Sequence, residues 1–88
     1  MWHLVVPTRP SQTSPDQLKR WEASRRRVGG NVRAFRLEKG LTQEALALEA
    51  GISRNVLIEL EHGRSGLLFE RLIDLAEVLG VEPGTLFS

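Results

Sequence analysis

The amino-acid sequence predicts an all-α fold, on two observations. Residues that open and close helices recur along it: Ser14-Pro15, Thr42, Ser53 and Pro83 as openings, and Gly40, Gly51, Gly63 and Gly80 as closures. Between them, apolar residues fall at i, i+3 and i+4, the period of an amphipathic helix. The composition fits a single small globular domain of 88 residues, 41% hydrophobic and 26% charged. A chain of this size buries roughly 60 to 65% of its unfolded surface, enough for one helical core and no second domain.

From the N-terminus, "MWHLVV" sets Trp2, Leu4 and Val6 at a period of two, a short strand over residues 2–6 that Pro7 ends. The segment "PTRPSQTS" reads as a connector. Ser14-Pro15-Asp16-Gln17 then combines an N-cap serine, a first-position proline, an acid in the first turn and a glutamine that completes a capping box. The helix it opens carries Leu18 and Trp21, then Arg25-Arg26-Arg27. Gly29-Gly30 weakens it by roughly 1 kcal/mol per glycine relative to Ala, so the expectation is two helices meeting there or one helix bent there. Val32, Phe35 and Arg36 resume the helical spacing, and Lys39-Gly40 is a C-terminus.

Thr42 caps the next helix, "QEALALEA", which Gly51 interrupts. Ser53 caps a short helix closing at Gly63. "LLFERLIDLAEVLG" is strongly amphipathic through Leu68, Leu72, Leu75, Ala76 and Leu79, and Pro83 opens a final short turn with Leu86 and Phe87.

The net charge of +1 conceals a division along the chain. Residues 1–40 hold nine Lys and Arg against three acids, a net +6, whereas residues 41–88 hold three against eight, a net −5. Such polarity suits a protein that presents one basic side to a polyanion. The absence of cysteine excludes disulfides and thiolate chemistry. No apolar run reaches the roughly 18 residues of a membrane span. The start has no basic n-region and is too short for a signal peptide, so the expected compartment is the cytoplasm.

The informative feature is the register of Gln43, Ala47, Gly51, Leu57 and Leu60. Two helices crossing through a tight turn need a small residue where their backbones approach, and Ala47 supplies it. The turn needs a residue that tolerates positive φ, and Gly51 stands four positions later. Ile52, Leu57 and Leu60 supply the aliphatic face that returns the second helix to the core.

With these residues in register, the sequence resembles the Cro/repressor (XRE-type) helix-turn-helix family, whose fold is that of the lambda repressor DNA-binding domain. The likeness runs from about Val28 to Phe87 through Arg36, Gly40-Leu41-Thr42-Gln43, Leu46-Ala47, Gly51, Glu61 with Gly63, Leu75-Ala76 and Leu79-Gly80-Val81. It implies a five-helix domain over residues 28–88, with 53–62 as the helix that reads double-stranded DNA. Residues 1–27 form an N-terminal extension, with the strand and an extra helix from about residue 15.

In that geometry the leading turn of the second helix enters the major groove, which places Arg54 and Asn55 at base edges. Arg matches guanine O6/N7 and Asn matches adenine N6/N7, each pairing worth about 1 to 3 kcal/mol of discrimination. Glu59 either accepts from a cytosine amino group or repels phosphate in wrong registers. Val56 either meets a thymine methyl or packs inward beside Leu60. Gln43 resembles the family's phosphate contact; Ser53, His62, Arg64 and Arg33 are further expected phosphate contacts. The resemblance pairs Arg36 with Glu61 as a structural ion pair rather than a DNA contact.

Two weak half-sites joined in one molecule gain effective concentration, so a homodimer on an inverted repeat, acting as a repressor, is expected. Its interface is expected at Val81, Leu86 and Phe87, with Trp2 and Leu4 contributing; the alternative is that Leu86 and Phe87 close the monomer core. A second functional reading is an antitoxin-like regulator whose residues 1–27 bind a protein partner. An enzyme is not expected: His3 and His62 are the only histidines, no nucleophile stands at motif spacing to a base, and no glycine-rich phosphate cradle occurs beyond Gly29-Gly30. No metal or cofactor is expected.

Overall fold

The computed structural model describes residues 13–88. The strand expected at 2–6, with Trp2 and Leu4, lies outside the described residues. Among the described residues there is no strand, and the order is α1 (Pro15–Glu38), α2 (Gln43–Ala50), α3 (Arg54–Glu61), α4 (Phe69–Leu79) and a 3-10 helix (Pro83–Phe87).

The fifth α-helix of the expectation is replaced by that 3-10 helix. Its five residues include Pro83 and Gly84, and its turns close by i to i+3 hydrogen bonds, Thr85 N–H to Glu82 O at 2.9 Å and Ser88 N–H to Thr85 O at 3.2 Å. The helix of the extension and the first helix of the domain are one: α1 runs unbroken for 24 residues through Gly29-Gly30 and across the expected boundary at residues 27/28.

Gly29 is buried, and a Cβ built there collides with the Leu60 carbonyl oxygen and touches Glu61. The glycine sits where the backbone of α1 runs against the end of α3, and that close approach outweighs its low helix propensity. Gly30 faces open space.

Local caps fix the short helices. The Ser14, Thr42 and Ser53 hydroxyls accept from the backbone N–H groups of Gln17 (3.1 Å), Ala45 (3.0 Å) and Val56 (3.1 Å). Gly51, the turn between α2 and α3, adopts φ 73°, the left-handed conformation it was expected to supply.

The core gathers Val28 and Val32 from α1, Leu46, Ala47 and Ala50 from α2, Leu57 and Leu60 from α3, Leu72, Leu75, Ala76 and Leu79 from α4, and Leu86 from the 3-10 helix. Leu86 is fully buried, and Asn31 locks that terminus by donating to the carbonyls of Leu86 and Ser88, both at 2.9 Å. As a dimer-interface residue Leu86 is therefore corrected: its side chain closes the monomer. Leu68 is also corrected, because it is the N-cap of α4, outside the helix proper, and is exposed.

Candidate nucleic-acid interface

The surface centres on α3, which packs on α1 from behind and on α2 from the side. Leu57, Leu60 and Glu61 turn inward, while Ser53, Arg54, Asn55 and Val56 stand exposed on its leading turn. Ala47 is buried, and Ile52 packs against the core from the turn. The leading end of α3 is thus anchored by its apolar side and capped by Ser53, leaving two adjacent amide- and guanidinium-bearing side chains outside.

The start of α2 stands beside that turn. Arg36, Thr42, Gln43, Glu44 and Arg54 line one open cleft of about 390 Å³. The free N–H groups at the start of a helix suit such a place to an anionic oxygen.

Behind the cleft lies the most buried polar cluster of the domain. Arg36 donates from Nε to Glu61 Oε2 at 2.7 Å, from Nη2 to Oε1 at 3.0 Å, and from Nη1 to the Leu41 carbonyl at 2.9 Å. Gln43 Nε2 adds a third bond to the same carboxylate, at 3.1 Å. Gln43 is half-buried, and its amide is held by a group that is itself locked between α1 and α3. Sequence spacing did not reveal this tie, because the three residues come from three different helices.

At the far end of α3 the geometry differs from the expectation of free contacts. Arg64 donates through its guanidinium to Glu59, so the two residues placed separately at phosphate and base are joined to each other. Gly63, at φ 72°, turns the chain back and brings them together. Both remain about half exposed. His62 Nδ1 lies 2.8 Å from the Ile58 carbonyl. Arg33 is exposed on α1.

Of the residues expected at an interface between copies, Val81 is half-buried against the core and Phe87 is exposed. Sequence reading missed the surface beside Phe87: a groove of about 160 Å³ lined by Ser24, Arg25, Val28, Leu60, Gly66, Leu67, Leu72 and Phe87. Leu68 and Phe69 follow it, exposed. The signal available was the triplet Leu67-Leu68-Phe69, too many apolar residues for one helix start to bury. No group of three or more metal-ligating side chains occurs among the described residues, and no described helix is long and apolar enough to cross a membrane.

The helix-turn-helix family model matches residues 32–86. A HTH-type transcriptional regulator of Sinorhizobium fredii, y4dJ, is 44% identical over 57 residues, covering 65% of this chain and 74% of that protein. YazB of Bacillus subtilis, another HTH-type transcriptional regulator, is 40% identical over 58 residues, 66% of this chain and 84% of its own length. Among solved structures, the restriction-modification controller protein C.AhdI of Aeromonas hydrophila superposes with a TM-score of 0.71 at 34% identity, covering 74% of this chain and 98% of that one. Family match, relatives and fold agree with the α2-turn-α3 geometry, and the chain belongs to the XRE-type helix-turn-helix family of DNA-binding transcriptional regulators.

Proposed function

We propose that this protein is a sequence-specific repressor that binds an inverted-repeat operator as a homodimer, with α3 in the major groove of each half-site. The observation that carries the reading is the leading turn of α3, where Arg54, Asn55 and Val56 are exposed side by side on a helix whose opposite face is wholly committed to the core. Arg54 and Asn55 take base edges, Val56 a thymine methyl, and the start of α2 with Gln43 and Ser53 takes backbone phosphate. Arg33, His62 and Arg64 add phosphate contacts, the last on release from Glu59. Arg36 and Glu61 hold α1, α2 and α3 in register and touch no DNA. The reading places the protein in the cytoplasm, with no enzymatic role.

The second copy docks on the groove beside Phe87. Phe87 lines it and is exposed, the exposed Leu68 and Phe69 follow its Leu67 in the chain, and the Nε of Arg25, which also lines it, is buried without a hydrogen-bond partner. An orphaned buried donor costs about 1 to 3 kcal/mol, which an acceptor from a second chain recovers. Val81, partly buried against the core, is a lesser contributor in this reading.

Selection of bound duplexes from a random pool tests the reading. Enrichment of a palindrome with a fixed half-site spacing is the expected result, and a bound pool without sequence preference contradicts it.

A protein partner on the N-terminal extension, as in an antitoxin-like regulator, is the second reading. It is favoured by Leu18 and Trp21, which stand 46% and 44% exposed on the inward stripe of α1 before that stripe reaches the core. Co-purification of a second protein that is lost on Trp21→Ser is the outcome that selects it over the homodimer alone.

A further inference from the structure

Residues 15–31 of α1 precede the region matched by the family model, and their charge has no role in the core. Lys19, Arg20, Arg25, Arg26 and Arg27 stand there against Asp16 and Glu22. Five cations against two acids make this arm strongly electropositive.

The cations are not evenly spread. Lys19, Arg26 and Arg33 are seven residues apart, so they stack along one flank of α1 over about 21 Å. All three are exposed. The sole ion pair recorded for them among the described residues is a loose contact of Arg26 with Glu22 at 3.9 Å, both half exposed or more, where pairs are worth little.

Two contacts orient that flank. Gly29 lies against the Leu60 and Glu61 carbonyls at the end of α3, and one turn earlier Arg26 lies against Gly63, where an added Cβ falls 2.6 Å from Arg26 Cγ and 2.8 Å from its Cα. Stepping back along α1 therefore follows the chain out of the C-terminal end of α3, past His62 and Gly63. Lys19 lies about 10 Å further along the axis.

We propose that Lys19, Arg26 and Arg33 form a phosphate-binding rail that carries the protein–DNA contact past the end of the recognition helix. The step of about 10 Å from Arg26 to Lys19 is long enough for the two cations to meet different phosphates of one strand. The inference rests on the reading of α3 as the helix in the major groove. It assigns to the extension a sequence-independent part of the affinity, separate from the choice of bases by Arg54 and Asn55.

The test uses the full chain and a duplex enriched from a random pool by the wild-type protein. Lys19→Ala with Arg26→Ala is compared with Arg20→Ala with Arg27→Ala, which removes equal charge about 100° round the helix. Alanine favours helix at all four positions, and circular dichroism checks that each variant is folded. The first pair is expected to lower the slope of log K against log salt by close to two for each half-site occupied, at about 0.9 per phosphate. It is also expected to remove a contiguous set of phosphates from the ethylation-interference pattern, with base preference unchanged. The second pair is expected to leave that pattern intact. Equal effects from both pairs, or no loss of interfering phosphates from the first, overturn the rail while leaving the α3 reading in place. Failure of the wild-type protein to bind any duplex overturns both.

Discussion

Arg36 of α1 and Glu61 of α3 meet in a two-point ion pair inside the domain, 2.7 Å from Nε to Oε2 and 3.0 Å from Nη2 to Oε1, with 8% and 1% of their side chains exposed. The Glu61 carboxylate also takes Gln43, and the Arg36 guanidinium also takes the Leu41 carbonyl. The pair is almost entirely buried and hydrogen-bonded from both sides, so removing one partner strands the other's charge in a largely buried place. Glu61→Ala or Arg36→Ala is expected to lower unfolding stability by about 3 to 5 kcal/mol. The double change to Arg36→Met with Glu61→Leu is expected to restore most of the loss. Urea titrations of the three proteins measure both effects, and a double variant as unstable as either single would deny the pair its self-contained character.

The neighbouring glycines of α1 separate helix propensity from packing. At Gly30 a Cβ meets nothing within 4 Å, so Gly30→Ala is expected to stabilise by roughly 0.5 to 1 kcal/mol. At Gly29 the same change drives a methyl into the Leu60 carbonyl, which neither helix backbone can easily yield. Overpacking of this kind costs about 1 to 3 kcal/mol, more than the propensity gain returns. Thermal melts of the two variants are expected to move in opposite directions from the wild type.

How much of this was legible in the sequence depends on the reach of each interaction. The caps at Ser14, Thr42 and Ser53 act over three residues, and the left-handed turn at Gly51 acts at one, so local chemistry reads them directly. Gly29 was read as a weak point because its reason lies in the backbone of α3, which no local rule sees. Leu68 fits the amphipathic period of α4, yet it is the N-cap, and a period alone does not say where a helix begins. At Leu86 the pattern allowed core or interface, and the side chain is fully buried in the core of the single chain. The Gln43 tie to Glu61 joins separate helices, and packing had to place them before it could be seen.

Arg54 and Asn55 stand at the exposed leading turn of α3, outside every hydrogen bond that holds the domain together. Their loss is therefore expected to leave stability within about 0.5 kcal/mol of the wild type. On the enriched operator, Arg54→Ala is expected to cost about 1 to 3 kcal/mol per half-site and to relax preference at one base pair of each, with Asn55→Ala doing the same at a neighbouring position. Site selection repeated with each variant reads this out. A uniform loss across operator and random DNA would assign the two residues to phosphate instead.

Glu59 and Arg64 pose the opposite case, because the pair they form is exposed and adds little to stability. Its effect is on what reaches the DNA. In the free protein the Glu59 carboxylate holds the Arg64 guanidinium, and its negative charge cancels the cation at the trailing end of α3. Glu59→Gln removes that charge and frees Arg64, without shortening the side chain. The variant is expected to fold as the wild type does and to bind every duplex more tightly, because Arg64 reaches its phosphate without first breaking from Glu59. Its preference for operator over random sequence is expected to narrow, since the strengthened contact reads no base. Fluorescence anisotropy across a salt series measures both quantities. If Glu59→Gln instead weakens binding to the operator alone, Glu59 is a base contact in its own right, accepting from a cytosine amino group, and Arg64 is its positioning partner.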